Sequence, residues 1–225
     1  MERALPEVTR FAAIDALRYP QFAAKAAADL GIRLAPDWEK QATSGQIGCC
    51  VSHVSVWKEA AGSARPWTVV LEDDAVINET LFSSTVDGML AELEDSGRDF
   101  DILYLYLHPE QRPASLRLAS LPLEPPLTQE GFHSWCLLAY VLSRKGASRL
   151  LGHVNNCDEE IYCPIDNWVS DLRKRGKLDV MCPTVHGFVT NGGQVDLREQ
   201  AEDGGQAYLK SNLWGSPLWM EMNKT

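Results

Sequence analysis

No run of about 18 consecutive apolar residues occurs in the 225 positions of the chain, so no membrane-crossing helix is expected. Basic residues are outnumbered, 21 Lys and Arg against 31 Asp and Glu, for a net charge of −10. A surface of that sign argues against a sequence-independent grip on nucleic acid or an anionic membrane. The densest basic cluster, Arg173-Lys174-Arg175 with Lys177, reads as the solvated end of a helix, where cations complement the dipole. The six cysteines lack the paired C-x-x-C spacing of a structural zinc site and read mostly as buried thiols. Residues 1–6 show no apolar core of a secretion signal, and the expected location is cytoplasmic, with peripheral contact at the inner face of a membrane. Repeats and low-complexity tracts are absent as well.

What remains is an ordinary globular composition, 45% hydrophobic and 23% charged with a mean hydropathy of −0.21. The length suits one domain, expected over residues 1–198, followed by a tail over 199–225 that packs on it or serves association. Apolar spacing predicts helices over 21–32 and from Ser44-Gly45, the latter with a stripe of Ile47, Cys50, Val51, Val54 and Trp57. A strand is expected over 67–71, and a helix capped by Asn78 or Thr80 up to about Leu93. β-rich runs over 100–107, 135–142 and 178–182 read as further strands. Ser143 is expected to cap a basic helix over 144–151, and Pro164 to sit in the first turn of one reaching Arg173. Between them, residues 108–128 carry five prolines, a density that no helix survives, and predict a long irregular loop. Alternating helices and strands of this kind predict an α/β fold with a mainly parallel central sheet flanked by helices.

The chemistry concentrates in Val69-Val70-Leu71-Glu72-Asp73-Asp74-Ala75, an apolar strand that ends in three carboxylates. Adjacent acids repel one another, and a divalent cation among them offsets the charge. Oxygen ligands on one short loop suit a hard ion, Mg²⁺ or Mn²⁺, shared with the phosphates of a ligand. The plainer alternative is an acidic turn capping the next helix.

Ordered blocks surround this tip. Upstream lies Gly45-Gln46-Ile47-Gly48-Cys49-Cys50-Val51-Ser52-His53; downstream lie Phe100-Asp101-Ile102-Leu103-Tyr104, Ala139-Tyr140-Val141-Leu142-Ser143 and Pro164-Ile165-Asp166-Asn167. In that order and spacing the chain resembles the family 25 glycosyltransferases, the lipooligosaccharide and collagen galactosyltransferases, from about Arg10 to Asp196. The resemblance implies a GT-A-like fold and a metal-dependent, inverting transfer of a hexose, foremost galactose, from a UDP-sugar to a glycan or glycolipid acceptor such as lipopolysaccharide. Carried onto this chain, it puts Mn²⁺ (or Mg²⁺) on the acidic triplet, with Asp74 as direct ligand and Glu72 or Asp73 ligating through water or holding the ribose. His186 or Asp196 is the expected third metal ligand. Ser52 and His53 lie off the apolar stripe and either face the donor or brace a neighbouring strand. Asp166, in the block resembling the family's Pro-Val-Asp, is the expected general base, an inverting transfer needing one for the acceptor hydroxyl. Expected partners are the nucleotide-sugar donor and the acceptor, without nucleic acid and with a homo-oligomer as an option. Asn191-Gly192-Gly193-Gln194 is a turn signal, with a lid as the functional alternative.

The chain also departs from the pattern. The family opens with an Ile-Asn-Leu strand that holds uracil and ribose, and this sequence has none; either half of the nucleotide cradle is missing or another segment replaces it. Gln46 stands where the family has glutamate, and Ala16 where it has glycine. These departures motivate the competing expectation, a catalytically impaired glycan- or nucleotide-binding protein on the same fold. A metal-dependent phosphohydrolase built on the triplet is the third.

Overall fold

The computed structural model describes residues 8–34, 42–112, 117–118, 128–130, 136–156, 160–161, 164–192 and 219–222. Its elements are β1 (Val8–Phe11), α1 (Pro20–Asp29), α2 (Ser44–Gly62), β2 (Trp67–Leu71), β3 (Ala75–Ile77), α3 (Glu79–Asp95), β4 (Ile102–Tyr104), β5 (Arg117–Leu118), β6 (Thr128–Glu130), β7 (Ala139–Ser143), α4 (Arg144–Val154), α5 (Ile165–Lys174), β8 (Val180–Pro183), β9 (Val185–His186), β10 (Val189–Asn191) and β11 (Trp219–Met222). Seven strands form one sheet in the order β1-β11-β2-β7-β4-β8-β6, and β3·β10 and β5·β9 form two small pairs.

The four central strands are buried on both faces, which strand alternation explains directly. Val70, Ile102, Tyr104, Tyr140, Leu142, Val180 and Cys182 point into one core, filled by α2, α4 and α5. Val69, Leu71, Leu103, Ala139, Val141 and Met181 point into the other, filled by Leu81, Phe82, Val86, Met89 and Leu93 of α3. The sheet is therefore the middle layer of three. Helix α2 is buried nearly all round, Ser52 and His53 included, rather than along the one stripe its spacing predicts. It starts with a capping box in which Thr43 Oγ1 accepts from the Gln46 N–H at 3.3 Å and Gln46 Oε1 accepts from the Thr43 N–H at 2.8 Å. Gln46 thus makes the reciprocal cap that glutamate would make. Asn78 caps α3 and Ser143 caps α4, as expected, while Pro164 occupies the cap of α5 rather than its first turn.

The mainly parallel sheet is the expectation that fails. Only β4 and β8 pair in parallel within the seven strands, and every other neighbouring pair is antiparallel. The proline-rich connection after β4 accounts for two of these pairs, those of β7. A parallel return needs a crossover that carries the chain to the opposite end of the sheet, usually as a helix. Five prolines exclude that helix, so the chain re-enters at the end it left, with Ala139 opposite Leu71 and Tyr140 opposite Tyr104. Strand β7 consequently runs against both neighbours. The connection itself is less irregular than expected, since β5 pairs with β9 and β6 with β8. The edge of β2 away from β7 is taken by β11, with Met220 opposite Leu71 in register. No helix among the described residues is long and apolar enough to cross a membrane.

One close approach locks β7 to β4. Ser143 Oγ donates to the Phe100 carbonyl at 2.7 Å and accepts from the Gly146 N–H at 2.9 Å. A Cβ on Gly146 would lie 2.3 Å from the Asp101 carbonyl oxygen, a contact with backbone that no rotamer relieves. Gly146→Ala should therefore cost about 2 kcal/mol or more of stability. Gly152→Ala on the same helix, where a Cβ meets nothing within 4 Å, should be neutral or stabilising by up to about 1 kcal/mol. Urea midpoints of the two variants measure the difference.

Candidate functional site

Strand β2 ends at Leu71, and the next four residues form a tight turn. The Glu72 N–H donates to the Leu138 carbonyl at 2.8 Å, and the Ala75 N–H donates to the Glu72 carbonyl at 3.0 Å. Both acids that flank Asp73 are thereby drawn in, while Asp73 stays exposed. Asp74 is clasped by the end of β10. Asn191 Nδ2 donates to Asp74 Oδ2 at 3.3 Å, and the Gly192 N–H donates to the Asp74 carbonyl at 2.8 Å. The other carboxylate oxygen, Asp74 Oδ1, is buried with no hydrogen-bond partner among the described residues. Asn191 and Gly192 hold the acidic turn, a role that their turn-like sequence did not announce.

Behind Glu72 lies α2. His53 is wholly buried, with Nε2 at 3.5 Å from Glu72 Oε1. On its other side Nδ1 meets the Tyr140 hydroxyl at 2.9 Å, and the same hydroxyl accepts from Trp57 Nε1 at 3.0 Å. Trp57 is in turn stacked on Trp168 at 6.4 Å. A polar chain thus runs from the core to the acidic tip, with the Tyr140 hydroxyl joining His53 and Trp57. One turn earlier on α2, Cys49 brings its sulfur within 4.8 Å of the His53 and Glu72 ligand atoms.

Asp166 enters from the first turn of α5. Its Oδ2 accepts from the Cys136 N–H at 2.6 Å and its Oδ1 from the Asn167 N–H at 2.8 Å, which fixes the carboxyl plane. Cys136 presents that N–H from a positive φ of 73°, an uncommon conformation for a residue with a side chain. The charge of Asp166 acts on Cys49, His53 and Glu72, which puts its carboxyl near the acidic tip.

The remaining predicted residues fall elsewhere or into structural roles. Ser52 Oγ donates to the Gly48 carbonyl at 2.7 Å and accepts from the Ile14 N–H at 3.2 Å, tying α2 to the segment after β1. Gly48 is needed there because a Cβ would lie 2.7 Å from the Ile14 carbonyl oxygen. His186 sits on β9 beside Leu118, and no hydrogen bond or ion pair joins it to the triplet among the described residues. Asp196, the alternative third ligand, lies outside the described residues. Cys49, Tyr140 and Asn191 are the members of the site that sequence reasoning missed. The spacing of Cys49 and His53, four apart on a helix, was the one available signal.

Burial governs the charge state. It pushes Glu72 up to about 8, helped by the charges of Asp166 and Asp73, and Asp74 up to about 7, helped by Glu72. The hydrogen bond from Asn191 opposes the rise at Asp74. Burial lowers His53 to about 3, so the imidazole is neutral and its contact with Glu72 is no ion pair near neutrality. Burial thus disfavours the ionised form of both acids, and a cation beside them would lower both values again.

The family profile described as "Glycosyltransferase family 25 (LPS biosynthesis protein)" matches residues 3–169, and the chain belongs to that family. The matched span includes Cys49, His53, Glu72–Asp74 and Asp166, whereas His186 and Asn191 lie beyond it. Among curated relatives, "Probable inactive glycosyltransferase 25 family member 3" of Bos taurus is 33% identical over 130 residues, 54% of this chain and 20% of the relative. "Procollagen galactosyltransferase 1" of Danio rerio is 29% identical over 129 residues, 54% of this chain and 20% of the relative. "Procollagen galactosyltransferase 1-B" of Xenopus laevis is 28% identical over 162 residues, 67% of this chain and 25% of the relative. The chain spans about a fifth of the length of the first two relatives.

The raised acids make stability depend on pH with a definite sign. Glu72 and Asp74 ionise near 4.5 and 3.8 when unfolded but near 8 and 7 when native, so the native state holds the extra protons. Their contribution is complete below those unfolded values, falls as pH rises above them, and is fully lost once pH passes 7 to 8. The metal-free protein should lose a few kcal/mol across this window. Glu72→Gln should flatten the profile, which chemical denaturation at a series of pH values would show.

Proposed function

We propose that the chain is a metal-dependent, inverting glycosyltransferase that moves a hexose, galactose in first place, from a UDP-sugar to a glycan or glycolipid acceptor. The observation that carries this reading is the buried acidic turn, where Asp74 Oδ1 is buried with no hydrogen-bond partner among the described residues. A hard divalent ion, Mn²⁺ or Mg²⁺, fits that donor set, with Asp74 as ligand and Glu72 or Asp73 beside it. When bound, such an ion stabilises the negative charge that develops on a departing nucleoside diphosphate. The side chains do the rest. Asn191 and Gly192 keep Asp74 turned toward the site. Asp166, with each oxygen fixed by one N–H, keeps lone pairs to take the proton of an attacking acceptor hydroxyl.

The galactose preference rests on relatives named procollagen galactosyltransferases, and the glycan or glycolipid acceptor on the family's description as an LPS biosynthesis protein. We place the catalytic unit in residues 1–198, with the 199–225 tail completing the sheet through β11, a reading supported by the β11–β2 pairing. Location in the cytoplasm, at the inner face of a membrane, is part of the same proposal.

A second reading has its own support. The relatives named inactive include the one 33% identical to this chain over 130 residues. On that reading the fold binds a nucleotide or glycan without turnover.

Incubation with Mn²⁺ and a panel of UDP-sugars, with UDP release as readout, separates the two. Release is the expected result, and Asp74→Asn should abolish it together with metal binding. Asp166→Asn should lower kcat by about 10²–10⁴-fold while leaving metal and donor affinity in place. Donor binding without release would favour the second reading, and neither binding nor release would sink both.

A further inference from the structure

We propose that Cys49, His53 and Glu72 form a binding site for a thiophilic divalent cation of the zinc class, distinct from the hard-cation role of Asp74. The starting point is helix geometry. Cys49 and His53 are four residues apart on α2 and therefore point to one side of it. Glu72 reaches the same point from the end of β2, and the three ligand atoms lie within 4.8 Å of one another. Metal–ligand lengths of about 2.0–2.3 Å place the ligands of a tetrahedral zinc ion roughly 3.3–3.8 Å apart. The His53 Nε2 to Glu72 Oε1 distance of 3.5 Å already meets that span. Any closure that Cys49 needs is about 1.5 Å at most by the same arithmetic, within reach of a side-chain rotation.

The surroundings are those of a metal-ligating histidine. Such a histidine is oriented by a hydrogen bond at its second ring nitrogen. Here that nitrogen, Nδ1, meets the Tyr140 hydroxyl at 2.9 Å, and Trp57 Nε1 pins the hydroxyl at 3.0 Å. The imidazole cannot swing without breaking this buried chain, so Nε2 stays aimed at Glu72. Cys49 and Glu72 are only partly buried, which leaves a way in for an ion.

Donor chemistry selects the ion. One thiolate, one imidazole and one carboxylate favour Zn²⁺ over Mg²⁺ or Mn²⁺, which take oxygen ligands. Three protein donors with a fourth position open is the arrangement of zinc sites that bind a water or substrate. Glu72 is the one carboxylate common to this site and the acidic turn, so the two ions compete for it.

Cobalt is the probe, because a thiolate ligand gives Co²⁺ a charge-transfer band in the near ultraviolet. Titration of the metal-free full chain should give a saturable band, displaced by Zn²⁺, which favours tetrahedral thiolate and imidazole ligands, and retained against equal Mn²⁺. Cys49→Ser should erase the band. Tyr140→Phe should keep it while weakening Co²⁺ about 10- to 100-fold. Asp74→Asn should leave band and affinity unchanged, whatever it does to UDP release, so the outcome is separable from the transferase reading. No band in the native chain, a band that survives Cys49→Ser, or one lost with Asp74→Asn would each overturn the proposal.

Discussion

Strand β7 is hydrogen-bonded on both edges and buried on both faces, and the site depends on where that strand lies. It runs between β2 and β4 in the direction opposite to both. Its first residue therefore stands beside Leu71, and the segment that leads into it, Cys136 to Leu138, passes the acidic tip. Leu138 takes the Glu72 N–H, Cys136 gives its N–H to Asp166, and Tyr140 carries the hydroxyl that holds His53 and Trp57. Had β7 run parallel to its neighbours, its start would lie at the far end of the sheet and none of these contacts would exist.

The same placement explains why charge is so perturbed at this end of the sheet. Glu72 is enclosed by α2, by the lead-in to β7 and by Asp166, and each removes water without supplying a cation. Desolvation then outweighs the preference of a carboxylate for its ionised form. A polar chain with no compensating charge is costly to bury, a cost that the proposed cation would offset. The far end shows the contrast. There Asp101, fully buried, has Arg149 Nη1 at 2.5 Å and the Asp179 N–H at 2.7 Å, both on Oδ2, so a cation of the chain itself opposes the rise that burial causes.

Much of the fold was legible from local patterns. Caps at Asn78 and Ser143, the strand over 67–71 and the buried helix from Ser44 follow from short-range chemistry, and each stands where that chemistry puts it. Strand direction was not legible from helix–strand alternation, although the five prolines after β4 held the answer: they remove the crossover helix that a parallel strand needs. The site was half legible. Glu72, Asp74 and Asp166 were picked from residue type and position. Ser52 proved to be tied into the frame by Gly48 and Ile14, and His186 lies on a separate two-stranded pair.

Sequence alone determined what depends on near neighbours: an apolar strand tipped with three acids, a helix carrying Cys49 and His53 one turn apart, and a segment too rich in proline to be helical. Membership of glycosyltransferase family 25 was visible there too, because ordered blocks survive as text. Only the tertiary structure decided which groups surround the acids. Tyr140 is 87 residues from His53, and Asn191 is 117 residues from Asp74. Contacts over such separations leave no local pattern. The charge state of Glu72 is set by the water that those contacts exclude.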